Sequence, residues 1–129
     1  MGKPYINNAV VGNGSVLGCI TETGELIRLY WPEIDFPQHL EKMLAGFFDI
    51  AAANSTIWFS EGDHEVQQRY LGMTDILETT ACFVKLPLKV IQTDFCLPGK
   101  DVLIRHYSVI NTGNTDFHAG IGIASHVIS

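Results

Sequence analysis

Gly12–Pro37 reads GNGSVLGCITETGELIRLYWPEIDFP. Two apolar runs, Ser15–Thr21 and Glu25–Trp31, flank a Thr23-Gly24 turn, the pattern of a β-hairpin. Pro32 has no amide hydrogen to donate to a ladder, so the second strand ends there and a Trp-Pro-Glu-Ile-Asp-Phe-Pro loop projects outward. That loop carries one ring, Trp31, and two carboxylates, Glu33 and Asp35. A strand pair feeding a stiff loop of this kind reads as a site, or as one wall of a site.

The rest of the chain divides in the same way. Strands are expected near Asn8–Val11, Ser15–Thr21, Glu25–Trp31, Gly46–Ala51, Thr56–Ser60, Glu65–Tyr70, Ile76–Lys85, Lys89–Cys96, Val102–Asn111 and Phe117–Val127. Asn13-Gly14, Thr23-Gly24, Asn54-Ser55, Glu61-Gly62-Asp63, Leu97–Lys100 and Asn111–Asn114 punctuate them with turn chemistry. Only Gln38–Leu44 has helical spacing, and a short helix is expected there. Strands recurring about every ten residues predict one all-β domain, an antiparallel sandwich or barrel. In Phe117–Val127 one face carries Phe117, Ala119, Ile121, Ile123 and Val127 and belongs in a core. The other face carries His118, Gly120, Gly122, Ala124 and His126, is small at its centre, and would let another layer or another domain approach; if it is built to meet a partner, the chain should self-associate.

The totals exclude whole classes of function. At 129 residues, 47% hydrophobic and 17% charged, the chain can bury roughly two-thirds of its unfolded surface as a single domain. A net charge of −6 with no Lys/Arg cluster argues against nucleic acid and against anionic membranes. Neutral sugars impose no such requirement. Cys19, Cys82 and Cys96 are odd in number and lack C-x-x-C spacing, so they read as buried reduced thiols rather than as disulfides or zinc ligands. His39, His64, His106, His118 and His126 never fall at ligand spacing, so no metal or other cofactor is expected. The N-terminus lacks a secretory pattern and no apolar run is long enough for a membrane span, so a cytoplasmic protein is expected.

No catalytic constellation is legible. Glu33 and Asp35, two residues apart in one loop, cannot readily straddle a sugar ring as the acid and base of a glycosidase must. They either cap the following segment and bond a turn, or line the entrance to a neighbouring active site. Trp31 either packs against a neighbour or stacks on the C–H face of a sugar. Trp58, inside Thr56–Ser60, reads as core. Gly12-Asn13-Gly14 precedes a strand rather than a helix and lacks the Lys-Ser/Thr of a phosphate loop; it reads as a tight turn.

Gly12-Asn13-Gly14, the Thr23-Gly24-Glu25 turn and Leu29-Tyr30-Trp31-Pro32 with Asp35 form an ordered set. It resembles the N-terminal β-domain of bacterial glucoamylases and trehalase-like enzymes of glycoside hydrolase family 15. The likeness continues through Gln38–Leu44 and Gly46-Phe47-Phe48, then more loosely through Tyr70–Thr80 and Val90–Pro98. It implies a supersandwich-like fold and a longer two-domain parent, in which 1–129 is the N-terminal part and a downstream (α/α)6 barrel supplies two catalytic glutamates. The parent would hydrolyse α-glucosidic bonds in maltooligosaccharides or related α-glucans, or trehalose, with inversion. This piece would be non-catalytic, packing on the barrel with Trp31–Pro37 nearest the active site. An alternative is a stand-alone carbohydrate-binding or assembly module. That module needs a row of exposed aromatics, whereas Tyr30, Trp31 and Phe36 cluster at one point.

Overall fold

The computed structural model describes residues 9–32, 40–49, 56–59, 65–83 and 86–127. Ten strands lie among them: β1 (Ala9–Gly12), β2 (Leu17–Ile20), β3 (Leu26–Tyr30), β4 (Leu40–Asp49), β5 (Thr56–Trp58), β6 (Glu65–Tyr70), β7 (Leu77–Cys82), β8 (Leu88–Cys96), β9 (Leu103–Asn111) and β10 (Ala119–Val127). They form two antiparallel sheets. The first runs β1-β2-β3-β4-β10, with β5 also pairing β4; the second runs β6-β7-β8-β9. The all-β sandwich read from the sequence is the fold, and each expected strand is present.

The helix expected over Gln38–Leu44 is a correction. Gln38 and His39 lie outside the described residues, but Leu40–Leu44 begin β4. Their backbone pairs with β10, Leu40 opposite Val127 and Leu44 opposite Ala124, and Met43 pairs with Leu26 of β3. Leu40, Met43 and Leu44 carry helical spacing, yet Met43, Ala45 and Phe47 carry strand spacing. Partners on both edges of β4 decide between them, because long-range pairing overrides a short local periodicity.

Turn chemistry sets the hairpins. Asn13 Oδ1 accepts from the amides of Ser15 (3.1 Å) and Val16 (3.0 Å), an Asx turn between β1 and β2. Between β2 and β3, the Gly24 amide donates to Thr21 O at 3.0 Å and the Thr21 amide to Glu25 O at 2.9 Å. Gly24 has φ +88°, a left-handed conformation that favours residues without a Cβ. β3 ends at Tyr30, and a cis peptide bond joins Trp31 to Pro32.

Apolar residues from both sheets meet in two clusters. Ala9, Val11, Ile20 and Leu26 pack against Leu77 at one end. Ala45, Phe47 and Phe59 pack against Leu88 and Val90 at the other. Phe47, Phe59 and Phe83 meet pairwise with centroids 5.2–5.5 Å apart in tilted or edge-on geometry, favourable for ring quadrupoles.

A polar layer separates the two clusters. Along β8 the inward residues run Leu88, Val90, Gln92, Asp94 and Cys96, so two polar side chains occupy core positions. Asp94 is fully buried and ion-paired with Arg105 of β9 (Nε–Oδ1 2.6 Å). Gln92 Nε2 donates to Asp94 Oδ2 at 2.8 Å and to Gly24 O at 3.0 Å. Arg105 Nη2 also donates to Gly24 O. From β6, Gln68 Nε2 reaches Thr21 O (3.0 Å) and Thr79 Oγ1 of β7 (2.9 Å). The β2–β3 turn is thus clasped by the inner face of the second sheet, which satisfies carbonyls that burial would otherwise leave costly.

Two further expectations change. Cys19 is buried and Cys96 partly so, but Cys82 is exposed. It alternates with buried Thr79 and Ala81 on β7 and therefore points outward. The small residues of β10 first serve a neighbour within their own sheet. A Cβ on Gly120 would lie 2.0 Å from the Phe48 ring, so the glycine makes room for that ring. Gly122 has no atom within 4 Å of such a Cβ.

Candidate functional site

Glu33 and Asp35 lie outside the described residues, so of the three loop residues singled out in the sequence only Trp31 is placed. It stands one residue beyond β3 and is 44% exposed. The clasp on Gly24 fixes the start of β3, and pairing with β2 fixes its course, with Tyr30 opposite Leu17 and Leu29 opposite Gly18. Those contacts deliver the ring to one end of the sandwich.

Two turns converge on it. Asn13 Nδ2 donates to Leu97 O and Lys100 O, both at 2.6 Å, tying the β1–β2 turn to the β8–β9 turn. Ser15 Oγ donates to Asp101 Oδ1 at 2.8 Å. Asp101 also accepts a side-chain hydrogen bond from Trp31. These two donors, Ser15 first, hold the Asp101 carboxyl below its ordinary pKa, because both bonds favour the ionised form. Trp31, Ser15 and Asp101 form an aromatic–hydroxyl–carboxylate cluster that the loop reading did not anticipate. Asp101 follows a Leu-Pro-Gly-Lys turn some seventy residues downstream, and no local pattern announces that pairing.

Trp31 and Asp101 stand at the rim of a cavity of about 480 Å³ between the two sheets. Leu29, Met43, Leu103, Tyr107 and Ile123 form most of its apolar wall. The Tyr107 hydroxyl is buried and has no hydrogen-bond partner among the described residues. Burial pushes its pKa up, with Arg105 pulling the other way. Arg105 also lines this cavity, yet its guanidinium is engaged with Asp94 and with the β2–β3 turn. Trp58, read as core in the sequence, is only half-buried and lies outside both buried clusters, its ring set against Gly46.

A second depression, about 780 Å³, lies on the outer face of the second sheet among Gln67, Arg69, Glu78, Thr80 and Lys89. It is polar, with Arg69 and Glu78 paired at 3.2 Å, and it holds no aromatic ring for a sugar to stack on. His106 and His118 are exposed, and no group of three or more potential metal ligands occurs among the described residues. Burial raises the pKa of Cys19 and Cys96 and holds both thiols protonated. No helix among the described residues is long and apolar enough to cross a membrane.

No family model and no solved structure matches the chain. Among curated proteins, an uncharacterized glycosyl hydrolase of Methanocaldococcus jannaschii is 30% identical over 105 residues. The matched region is 79% of this chain but 16% of that protein. The chain is therefore similar to one stretch of a glycosyl hydrolase and spans a small part of its length.

Proposed function

We propose that this chain is the non-catalytic N-terminal β-sandwich of a glucoamylase-like glycoside hydrolase. One observation carries the reading: most of this chain is similar to a small share of a glycosyl hydrolase, and its described residues are entirely strands and connections. A support domain of this kind leaves most of the polypeptide for the catalytic body. The parent would cleave α-glucosidic bonds in maltooligosaccharides or related α-glucans with inversion, its two glutamates carried by an (α/α)6 barrel. Trp31, Asp101 and the adjoining Glu33–Asp35 segment would form the side turned toward that barrel. There the indole offers a flat apolar face and the carboxylate a fixed acceptor. The protein works in the cytoplasm in this reading, where its three free cysteines stay reduced.

The test is direct. The 129-residue chain should release no glucose from maltooligosaccharides and give no heat on calorimetric titration with them. Reading the open frame beyond Ser129 should reveal a helix-rich continuation. Glucose release by the pure chain would overturn the proposal, and millimolar or tighter binding would favour a carbohydrate-binding module.

A further inference from the structure

Among the described residues the sandwich is open along one side. β9 closes the second sheet and β10 the first, and both bound the cavity beside Trp31. Among the described residues, neither strand has a partner on its outer edge. Ile121 pairs with Phe47 and Ile123 with Ala45, so both isoleucines point to the core side of the sheet. They are nevertheless 45% and 58% exposed. Val109 of β9, which shares the inward face with Tyr107, is exposed as well. Two residues from each strand that belong in an interior, Tyr107 and Val109 on β9 and Ile121 and Ile123 on β10, thus frame a slot that no other described residue covers.

Soluble proteins blunt free sheet edges with charge, proline, bulges or short strands. β10 runs nine residues, Ala-Gly-Ile-Gly-Ile-Ala-Ser-His-Val, without Lys, Arg, Asp, Glu or Pro. Its one irregularity lies at the His126/Val127 end. The Arg105 side chain of β9 is turned inward to Asp94. A chain of net charge −6 therefore presents a strand edge without a formal charge.

We propose that a second copy of this chain covers this edge, by antiparallel pairing of the two β10 strands about a two-fold axis at Ile123. The register is self-consistent. Ile123 meets Ile123, Ile121 meets Ser125 and Gly122 meets Ala124, so core-side residues stay with core-side residues and small outer residues with small ones. An axis normal to the sheets also brings the two β9 edges side by side, and the four exposed isoleucines close into one core. A nine-residue edge is about 30 Å long and a two-sheet sandwich about 20 Å deep, giving roughly 600 Å² per copy, at the lower bound for a specific interface. The inference is independent of the sugar chemistry proposed above.

Sedimentation equilibrium of the full chain, from micromolar to near-millimolar concentration, tests it. The expected result is twice the chain mass. Ile123→Lys, which sets two like charges opposite each other, should weaken dimerisation by on the order of tenfold or more with the circular dichroism spectrum unchanged. Met73→Lys, at a fully exposed turn, should leave the dimer intact. A monomer at every concentration overturns the proposal. So does a dimer that a folded Ile123→Lys leaves intact, or an open-ended polymer, which would mean head-to-tail edges. Should Ile123→Lys fail to fold, hydrogen exchange on the unmodified chain decides. Concentration-dependent protection of the β10 amides that face away from β4 supports the pairing, and fast exchange at all concentrations overturns it.

Discussion

Asp101 shows how much one residue's environment can matter at a rim otherwise made of turns. Its carboxylate collects donors from Ser15 and Trp31, and its folded pKa lies below the ordinary value of 3.8. A depressed acid contributes stability that is present above its unfolded pKa and lost as pH falls through the folded value. Thermal stability should therefore drop as pH is lowered past the ordinary aspartate range, and Asp101→Asn should flatten that part of the profile. NMR titration of the Asp101 side chain checks the origin. Ser15→Ala should move its pKa upward, and no movement would mean that the hydroxyl is not the dominant donor. The exposure of Asp101 keeps the energetic consequence small.

At the scale of elements, the clasp on the β2–β3 turn is the most consequential arrangement. Asp94 and Arg105 are sealed together, and each also serves Gly24 or its neighbour Gln92. Asp94→Ala leaves a buried guanidinium without its counter-ion and should cost about 3–5 kcal/mol in urea denaturation. Pairing Asp94→Leu with Arg105→Met should recover most of that loss, since matched apolar replacements of a buried pair are often neutral. A loss below 1 kcal/mol in the single variant would mean that water reaches the pair. The opposite extreme is the β9–β10 connection. Asn111 to Thr115 are exposed and bond mainly to one another, with Asn111 Oδ1 taking the Gly113 amide at 2.9 Å and one tie from the Thr112 amide to Pro87 O. A Gly-Ser insertion after Gly113 spares these two bonds, lengthens the span only of the exposed Asn111 Nδ2 to Thr115 O bond (2.8 Å), and should shift the melting temperature by less than about 2 °C. A larger drop would show that the turn sets the β9–β10 alignment.

At the scale of the molecule, the described residues form a sandwich with one clasped hairpin and one uncovered side, and nothing in it is built around a sugar. Ligand linkage gives the corresponding expectation. A protein that binds α-glucan in its folded state melts higher in its presence, so maltooligosaccharides should leave the melting temperature of this chain unchanged. A concentration-dependent rise would move the weight to the cluster at Trp31 as a sugar site in its own right. Disrupting the β10 edge through Ile123→Lys should alter assembly without altering that result.

Alternation, turn residues and the proline after Trp31 were enough, in sequence alone, to specify an all-β chain and its strands, because period-two burial and left-handed glycines are local properties of the backbone. Three features needed the folded chain. Leu40–Leu44 became strand because β3 and β10 supply its partners from far away in sequence. Asp101 joined Trp31 because two turns some seventy residues apart meet at one end of the sandwich. The exposure of Ile121 and Ile123 followed from β10 being an edge. Each depends on which distant segments become neighbours, and pairing free energy between remote strands is not written in the spacing of either one.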